Sequence, residues 1–286
     1  MFKLSERGME MSDRPTRNIS EEFLAELTEN NKEYLQILGI ARSKECLILP
    51  RKDRVIIYYQ GCKVLEIIEN DDIKLENAYV KNINDVKKFF DESVSKIREK
   101  TDEKTIQQKM FFKINENNND YFVFDMEYQQ ALTEDEKDGT GVNNNPRVDL
   151  VCIKRDGTFV CIEVKFGNGA LTGEQGIAGH LESAATYFPK FEECEFKEMI
   201  SQVNKLNDFG KTGFNLDWKK PKEYIFALIK CTKKDDIYKE LKDAEKSIEK
   251  LEENGWSVYF TEDEISSKWS SNVYKDYIDI VLKSLW

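Results

Sequence analysis

The stretch PRVDLVCIKRDGTFVCIEVKF, residues 146–166, decides how this chain folds. Two apolar segments flank the turn residues 155–157, and this pattern predicts a β-hairpin with a three-residue loop. Gly157 suits the left-handed backbone position that closes such a loop. In the register that this loop sets, Asp149 lies opposite Glu163 on the neighbouring strand.

The hairpin gathers three ionisable side chains on one face. Strand alternation places Glu163 and Lys165 on the same face, and an opposed Asp149 joins them with its Cβ roughly 5 Å from that of Glu163. Unpaired carboxylates between apolar strands cost several kcal/mol, as an order of magnitude, and a divalent cation relieves that cost. Carboxylate oxygens and water suit Mg²⁺ or Mn²⁺. The alternative is a strand-edge aspartate beside a solvated Glu163–Lys165 pair.

These residues resemble the signature of the PD-(D/E)XK superfamily, the restriction endonuclease-like nucleases. Residues 163–165, Glu-Val-Lys, match the second half of that signature. Pro146 and Asp149 stand for the first half, although Arg147 and Val148 separate them where the strict motif has Pro next to Asp. The resemblance covers residues 147–187.

The resemblance implies a specific ligand set and fold. Mg²⁺, or Mn²⁺ in its place, would be held by Asp149, Glu163 and the backbone carbonyl of Val164, with Lys165 near the attacking water. A core sheet flanked by helices is also implied. The same stretch resembles the turn and helix that follow the lysine in some members, where Gln175 would support the site.

Several further residues are weaker candidates. Gln175 has a competing interpretation, because Thr172 and Gln175 also form a capping-box pattern. His180 is the chain's single histidine, and it is interpreted either as a substrate contact or as a packed or surface residue.

An additional acid from an earlier element often completes such a site. Glu127 is the candidate for this metal ligand, Asp125 shares its strand parity and competes with it, and a solvent-facing strand position is the alternative. Arg147 and Tyr187 are candidate substrate-binding residues that would contact phosphate.

Periodicity and turn residues predict an α/β fold with a mixed central sheet flanked by helices and an N-terminal β-meander extension. We predict a disordered leader at 1–18, a helix plus antiparallel β-meander at 19–83, and a restriction endonuclease-like core at 84–286. The predicted helices are 19–38 with Ser20 as N-cap, 84–100, 102–110, 172–187, 235–253 and 271–285. The predicted strands are 46–49, 54–60, 63–68, 121–129, the two hairpin strands, 223–230 and 257–261, and 133–145 is predicted as a loop.

Composition limits the classes of partner. A net charge of −11 argues against a surface that binds polyanions everywhere, but a local basic surface would suffice for nucleic acid. Two candidate basic surfaces are Lys219, Lys220 and Lys222, and Lys230, Lys233 and Lys234; solvated lysines flanking a strand are the alternative.

The six cysteines form no CxxC or CxxH pair, so reduced thiols are expected and a zinc site is not. With no membrane-length apolar run and no secretory signal, a cytoplasmic protein is expected.

The resulting hypothesis is a Mg²⁺-dependent nuclease that hydrolyses nucleic acid, with DNA preferred as substrate and a role in defence or repair. One alternative is a catalytically silent binding or assembly module on a nuclease-like scaffold, which the acidic net charge favours. A third is a hydrolase of small phosphoesters. The sequence leaves open whether the meander binds substrate, binds a partner or pairs two chains as a homodimer.

Overall fold

Two five-stranded sheets organise the computed structural model of this chain, which describes residues 17–70, 73–75, 78–80, 83–92, 102–117, 120–129, 147–188, 194–217 and 219–260. The strands are β1 (Leu47–Arg51), β2 (Arg54–Tyr59), β3 (Cys62–Ile68), β4 (Ile73–Leu75), β5 (Ala78–Val80), β6 (Tyr121–Gln129), β7 (Arg147–Lys154), β8 (Thr158–Phe166), β9 (Lys219–Ile229) and β10 (Trp256–Phe260). The α-helices are α1 (Glu21–Ala25), α2 (Lys32–Ser43), α3 (Ile83–Glu92), α4 (Glu103–Asn117), α5 (Ile177–Tyr187), α6 (Cys194–Asn207), α7 (Lys234–Asp243) and α8 (Glu245–Glu253).

The second sheet is mixed and has the order β10-β9-β8-β7-β6. Strands β6, β7 and β8 are antiparallel neighbours, whereas β8, β9 and β10 run parallel. Parallel neighbours need long crossovers, and here α5 and α6 connect β8 to β9 while α7 and α8 connect β9 to β10. Residues 158–165 of β8 are all buried, as expected for a strand covered on both faces. The prediction of a mixed α/β fold is confirmed.

The hairpin has the predicted register. Leu150 lies opposite Ile162, and Val151 lies opposite Cys161. Gly157 has a φ of +95°, and a Cβ there would lie 2.7 Å from the Asp217 carbonyl oxygen, so the turn requires glycine. The ladder ends at the Leu150–Ile162 pair, one pair before the two acids.

The first sheet is an antiparallel meander in the order β1-β2-β3-β4-β5. The three predicted strands are confirmed, and β4 and β5 extend the meander beyond the prediction. Strand β1 faces two cores, because Leu47 and Leu49 belong to the core of the mixed sheet while Ile48 belongs to the N-terminal core. Helix α6, which the sequence analysis missed, also reaches both cores through Val203 and Leu206.

Asparagine side chains occupy backbone groups of two strands. Asn207 on α6 accepts from the Ile48 N–H at 2.9 Å and donates to the Ile48 carbonyl at 2.7 Å. Asn115 on α4 bonds in the same two-point way to Val123 on β6, with both distances 2.8 Å. A side-chain amide thus takes the place of a neighbouring strand, which satisfies backbone groups that would otherwise be free for pairing with another chain.

The predicted helix at 19–38 is broken into two. Ser20 is its N-cap, as predicted, and accepts from the Phe23 N–H at 3.0 Å. A π-helical turn at Glu26–Asn30 follows, and Asn31 then adopts an extended conformation. The Asn31 side chain accepts from the N–H groups of Glu33 and Tyr34, so it starts a new helix.

Other predicted boundaries also need correction. Helix α4 continues to Asn117, beyond the predicted end at residue 110, and α5 begins at Ile177 instead of residue 172. The predicted helix at 235–253 is two helices that meet at Ala244. The predicted helix at 271–285 and loop at 133–145 lie outside the described residues.

Contacts of the described residues cross two of the predicted domain boundaries. Arg17 and Asn18, assigned to a disordered leader, contact Asp125 and Glu198, so at least these two residues belong to the folded chain. Helix α3 was assigned to the second domain, but its Val86 and Phe90 pack in the N-terminal core. Residues 1–16 lie outside the described residues.

A buried ion cluster joins the N-terminal part of the chain to β6. Asp125 is fully buried and pairs with Arg17 at 2.6 Å and with Arg51 at 2.9 Å. The same arginines donate to backbone carbonyls of β6, Arg17 to Glu127 at 3.1 Å and Arg51 to Met126 at 2.9 Å. The guanidinium of Arg17 also lies over the Tyr128 ring. These contacts fix the path of β6.

Within the part of the chain that the structure describes, none of the helices is both long and apolar enough to cross a bilayer. The five cysteines with described side chains are free thiols, as expected. Burial raises the pKa of Cys46 to about 12, which suppresses its thiolate form.

We expect Asp125→Ala to lower the free energy of unfolding by about 3 kcal/mol, because it leaves two guanidiniums unpaired at a buried position. Asp53→Ala is the matched control, since it removes an aspartate that pairs with an exposed arginine, Arg54. The control should change stability by less than about 0.5 kcal/mol. Urea denaturation measures both, and equal losses in the two variants would contradict the role of the cluster.

Candidate active site

A cleft of about 650 Å³ is lined by Asp149, Glu163 and Lys165. Its wall comes from the N-terminal end of α4, from strands β6, β7 and β8, from the turn before α5 and from α5 itself. The acidic residues that line it are Glu103, Glu127, Asp149, Glu163 and Glu174, and the basic ones are Lys104, Arg147, Lys165 and His180. Candidate residues from β6, β7, β8, the turn before α5 and α5 itself therefore share one cavity.

Asp149 lies where the β7–β8 ladder ends, and it is 6% exposed. Its Oδ2 accepts a hydrogen bond from the Val164 N–H at 2.7 Å. Burial, and then the charge of Glu163, raise the pKa of Asp149 well above its ordinary value, and the bond from Val164 opposes this only in part. The metal-free site therefore disfavours a charged Asp149.

Glu163 is 1% exposed and has a different environment. Its Oε1 accepts from Lys165 Nζ at 2.9 Å and lies 3.0 Å from His180 Nδ1. Burial alone would raise the pKa of Glu163, but the hydrogen bonds and charges of His180 and Lys165 together lower it. Its Oε2 is buried and has no hydrogen-bond partner among the described residues.

Lys165 is 3% exposed, and two acceptors fix its ammonium group. These are Glu163 Oε1 and, at 3.0 Å, the backbone carbonyl of Gln175. An ammonium has three donors, so one donor is not used by the described contacts.

The contribution of Gln175 differs from both predicted interpretations. Gln175 precedes α5, which begins at Ile177 after Gly176 as N-cap, so Thr172 and Gln175 form no capping box. The residue supports Lys165 through its backbone carbonyl, and it also lines the cleft. A helix start four to five residues later than predicted explains the difference.

His180 lies in the first turn of α5 and is bonded to a site carboxylate. This placement differs from that of a packed or surface histidine, because its Nδ1 contacts Glu163. When Nδ1 carries the shared proton, Nε2 is the ring nitrogen that is left for another partner.

Glu127 and Asp125 are separated by the conformation of β6. Glu127 lines the cleft, where its Oε2 lies 3.5 Å from Lys104 Nζ and 3.4 Å from Arg147 Nη1. Asp125 pairs instead with the N-terminal arginines. Glu127 has a φ of +54°, which is rare for a non-glycine residue and interrupts the regular alternation of the strand. The shared parity of the two residues therefore does not hold in space.

Glu103 is an acid of the cleft that the sequence analysis missed. It is the first residue of α4 and is partly buried. Burial raises its pKa, the charge of Lys165 opposes this, and the charge of Glu163 adds to it. Its position directly after Asp102 could have indicated that it lies at the start of a helix. The Asp102 carboxylate accepts from the Thr105 N–H and so caps this helix.

Tyr187 does not line the cleft, and this position corrects the prediction that Tyr187 contacts phosphate. Its side chain is 1% exposed, and its hydroxyl has no hydrogen-bond partner among the described residues. Tyr187 lies seven residues after His180 on α5, and at 1.5 Å per residue this carries it about 10 Å along the axis. Arg147 lines the cleft, which is the position that its predicted contact with phosphate requires.

The described residues contain no group of three or more Asp, Glu, His or Cys side chains arranged to hold a metal ion. A cation held here would therefore use Asp149, Glu163 and backbone or water oxygens. The N–H and C=O of a strand residue point to the same side. Because the Val164 N–H bonds to Asp149, the Val164 carbonyl also faces β7.

Asp149→Asn should stabilise the metal-free protein at neutral pH. A raised folded-state pKa means that the stability contributed by the protonated acid is present below its unfolded value and is lost as pH rises through the folded value. Asparagine keeps an acceptor for Val164 and never ionises. In urea denaturation with EDTA, the variant should exceed wild type near pH 8, and this difference should shrink toward pH 4. A constant difference across this range would contradict the shift.

Comparisons of the chain with protein-family models, with curated proteins and with solved structures each find no match.

Proposed function

We propose that this chain is a Mg²⁺- or Mn²⁺-dependent phosphodiesterase that hydrolyses nucleic acid, with a site of the PD-(D/E)XK type. One observation carries the proposal. Asp149 and Glu163 share a buried cleft with Lys165, and Glu163 keeps one buried oxygen without a hydrogen bond.

The residues fit a hard divalent cation. Burial disfavours the charge on Asp149, and a nearby cation would favour it. The unpartnered Glu163 Oε2 is an oxygen ligand of the kind that Mg²⁺ and Mn²⁺ prefer. Asp149, Glu163 and the Val164 carbonyl would hold the ion, and water would complete its coordination. Such an ion would polarise a phosphoryl oxygen and orient and acidify a bound water as nucleophile.

The chain's own residues supply the remaining chemistry. Lys165 Nζ is held between Glu163 and the Gln175 carbonyl, so its third donor can orient a water or bind a phosphate oxygen as negative charge develops. His180 holds Glu163 Oε1 through Nδ1, which leaves Nε2 to exchange a proton with a group in the cleft.

The fold supports the same interpretation. A mixed sheet flanked by helices is what the resemblance to restriction endonuclease-like proteins implies, and the three signature residues lie on two adjacent strands of this sheet.

We expect wild-type protein to cleave DNA or RNA in Mg²⁺ or Mn²⁺ and to stop in EDTA. Lys165→Ala and Asp149→Asn should each lower the rate at least about 100-fold, because Lys165 stabilises negative charge on the reacting phosphate and Asp149 would hold the ion. Gel assays on single-stranded and duplex DNA and on RNA, with a small phosphodiester beside them, measure these rates.

The chain offers a matched control for these variants. Glu223 and Lys154 form a second, partly buried Glu–Lys pair on the same sheet, with 2.7 Å between Oε1 and Nζ, and neither residue lines the cleft. Glu223→Gln and Lys154→Ala should leave cleavage unchanged. No cleavage by wild type on any of these substrates would contradict the proposal.

Metal binding should be measurable without any substrate. Mn²⁺ titration by calorimetry or electron paramagnetic resonance should show one site in wild type. Asp149→Asn should bind at least about tenfold more weakly, since even residues behind the ligands change affinity by that much, and Glu223→Gln should bind as wild type does. A chain that neither binds Mn²⁺ nor cleaves would fit the alternative of a catalytically silent module.

A further inference from the structure

We propose that Lys104 and Arg147 form a phosphate-binding subsite at the mouth of the cleft, where they take a backbone phosphate of a polynucleotide next to the one attacked. The inference rests on the proposed function, because it places this second phosphate relative to the site of Asp149 and Glu163. It names the substrate as a polymer with successive phosphates.

The two cations come from different elements and meet at one oxygen. Lys104 is the second residue of α4 and Arg147 is the first residue of β7. Their side-chain nitrogens lie 3.5 Å and 3.4 Å from Glu127 Oε2, so they are within about 7 Å of each other. Their side chains are 57% and 54% exposed, and both line the cleft.

Pairing with Glu127 does not account for this arrangement. Charge-assisted hydrogen bonds between nitrogen and a carboxylate are usually about 2.7–2.9 Å long, so both contacts are loose. One carboxylate also cannot neutralise two cations, and exposed ion pairs of this kind add little to stability. A phosphate has enough oxygens to accept from both groups at once.

The position of Glu127 is fixed from behind. Its backbone carbonyl accepts from Arg17, and the preceding carbonyl, of Met126, accepts from Arg51. The left-handed φ of Glu127 is therefore supported by two guanidiniums of the N-terminal part of the chain. The anchor between the two cations exists before any substrate arrives.

Charge is graded across the cleft. Asp149, Glu163 and Lys165 are almost completely buried, whereas Lys104 and Arg147 lie at the exposed mouth. An acidic cleft in a chain of net charge −11 would repel a polyanion, and two cations at its mouth offset that repulsion locally.

Fluorescence anisotropy with fluorescein-labelled single-stranded and duplex DNA tests the subsite. The titrations are run in EDTA and again in Ca²⁺, at 50–200 mM salt as roughly the range over which such binding weakens. Lys104→Ala/Arg147→Ala should bind at least about tenfold more weakly at the lowest salt. The slope of log affinity against log salt should become shallower by about one, because the neutralisation of one phosphate is lost.

The N-terminal sheet provides a matched control. Glu66 also pairs with one lysine and one arginine, Lys63 and Arg54, and none of these three residues lines the cleft. Arg54→Ala/Lys63→Ala removes the same charge and should retain wild-type affinity and slope. Lys104→Arg/Arg147→Lys keeps both charges and should retain most of the affinity.

Three outcomes overturn the subsite: no binding of DNA by wild type, equal losses in the control, or no loss in Lys104→Ala/Arg147→Ala. If the latter variant binds normally while wild type cleaves in Mg²⁺, the subsite is wrong and the proposed function stands. If wild type binds through these cations but never cleaves, the subsite stands and the proposed function fails.

Discussion

Two carboxylates held together in a buried cleft are the constraint on which this site depends. Asp149 and Glu163 cannot both carry charge there without compensation, and the structure compensates unequally. Lys165 and His180 both contact Glu163, whereas Asp149 has the Val164 N–H. The cleft therefore favours the charged form of Glu163 and disfavours that of Asp149.

The N-terminal part of the chain contacts the strand that forms one wall of this cleft. Strand β1 contributes to two hydrophobic cores at once, and Arg17 and Arg51 reach β6 at the residues next to Glu127. A buried aspartate, Asp125, neutralises the two guanidiniums. The meander is therefore a support for one wall of the cleft, and a change in its packing would be transmitted to Glu127.

Where sequence prediction failed, the reason was mostly a competing local or tertiary interaction. The predicted helix at 19–38 breaks because the Asn31 side chain caps a new helix. Helix α3 joins the N-terminal core through Val86 and Phe90, which no local pattern indicates. The hydroxyl of Tyr187 could contact phosphate, but Tyr187 is the last residue of α5 and its side chain is buried in the core.

The sequence by itself determined the hairpin, its register and the approach of Asp149, Glu163 and Lys165 to one another. These depend on strand alternation, on the length of one turn and on a glycine at a left-handed position, all of which act over a few residues. Only the tertiary structure decided which other groups join them. Glu103, Glu127 and His180 come from separate elements. They meet because helices α4 and α5 pack against the sheet, and no local sequence pattern indicates how these helices pack.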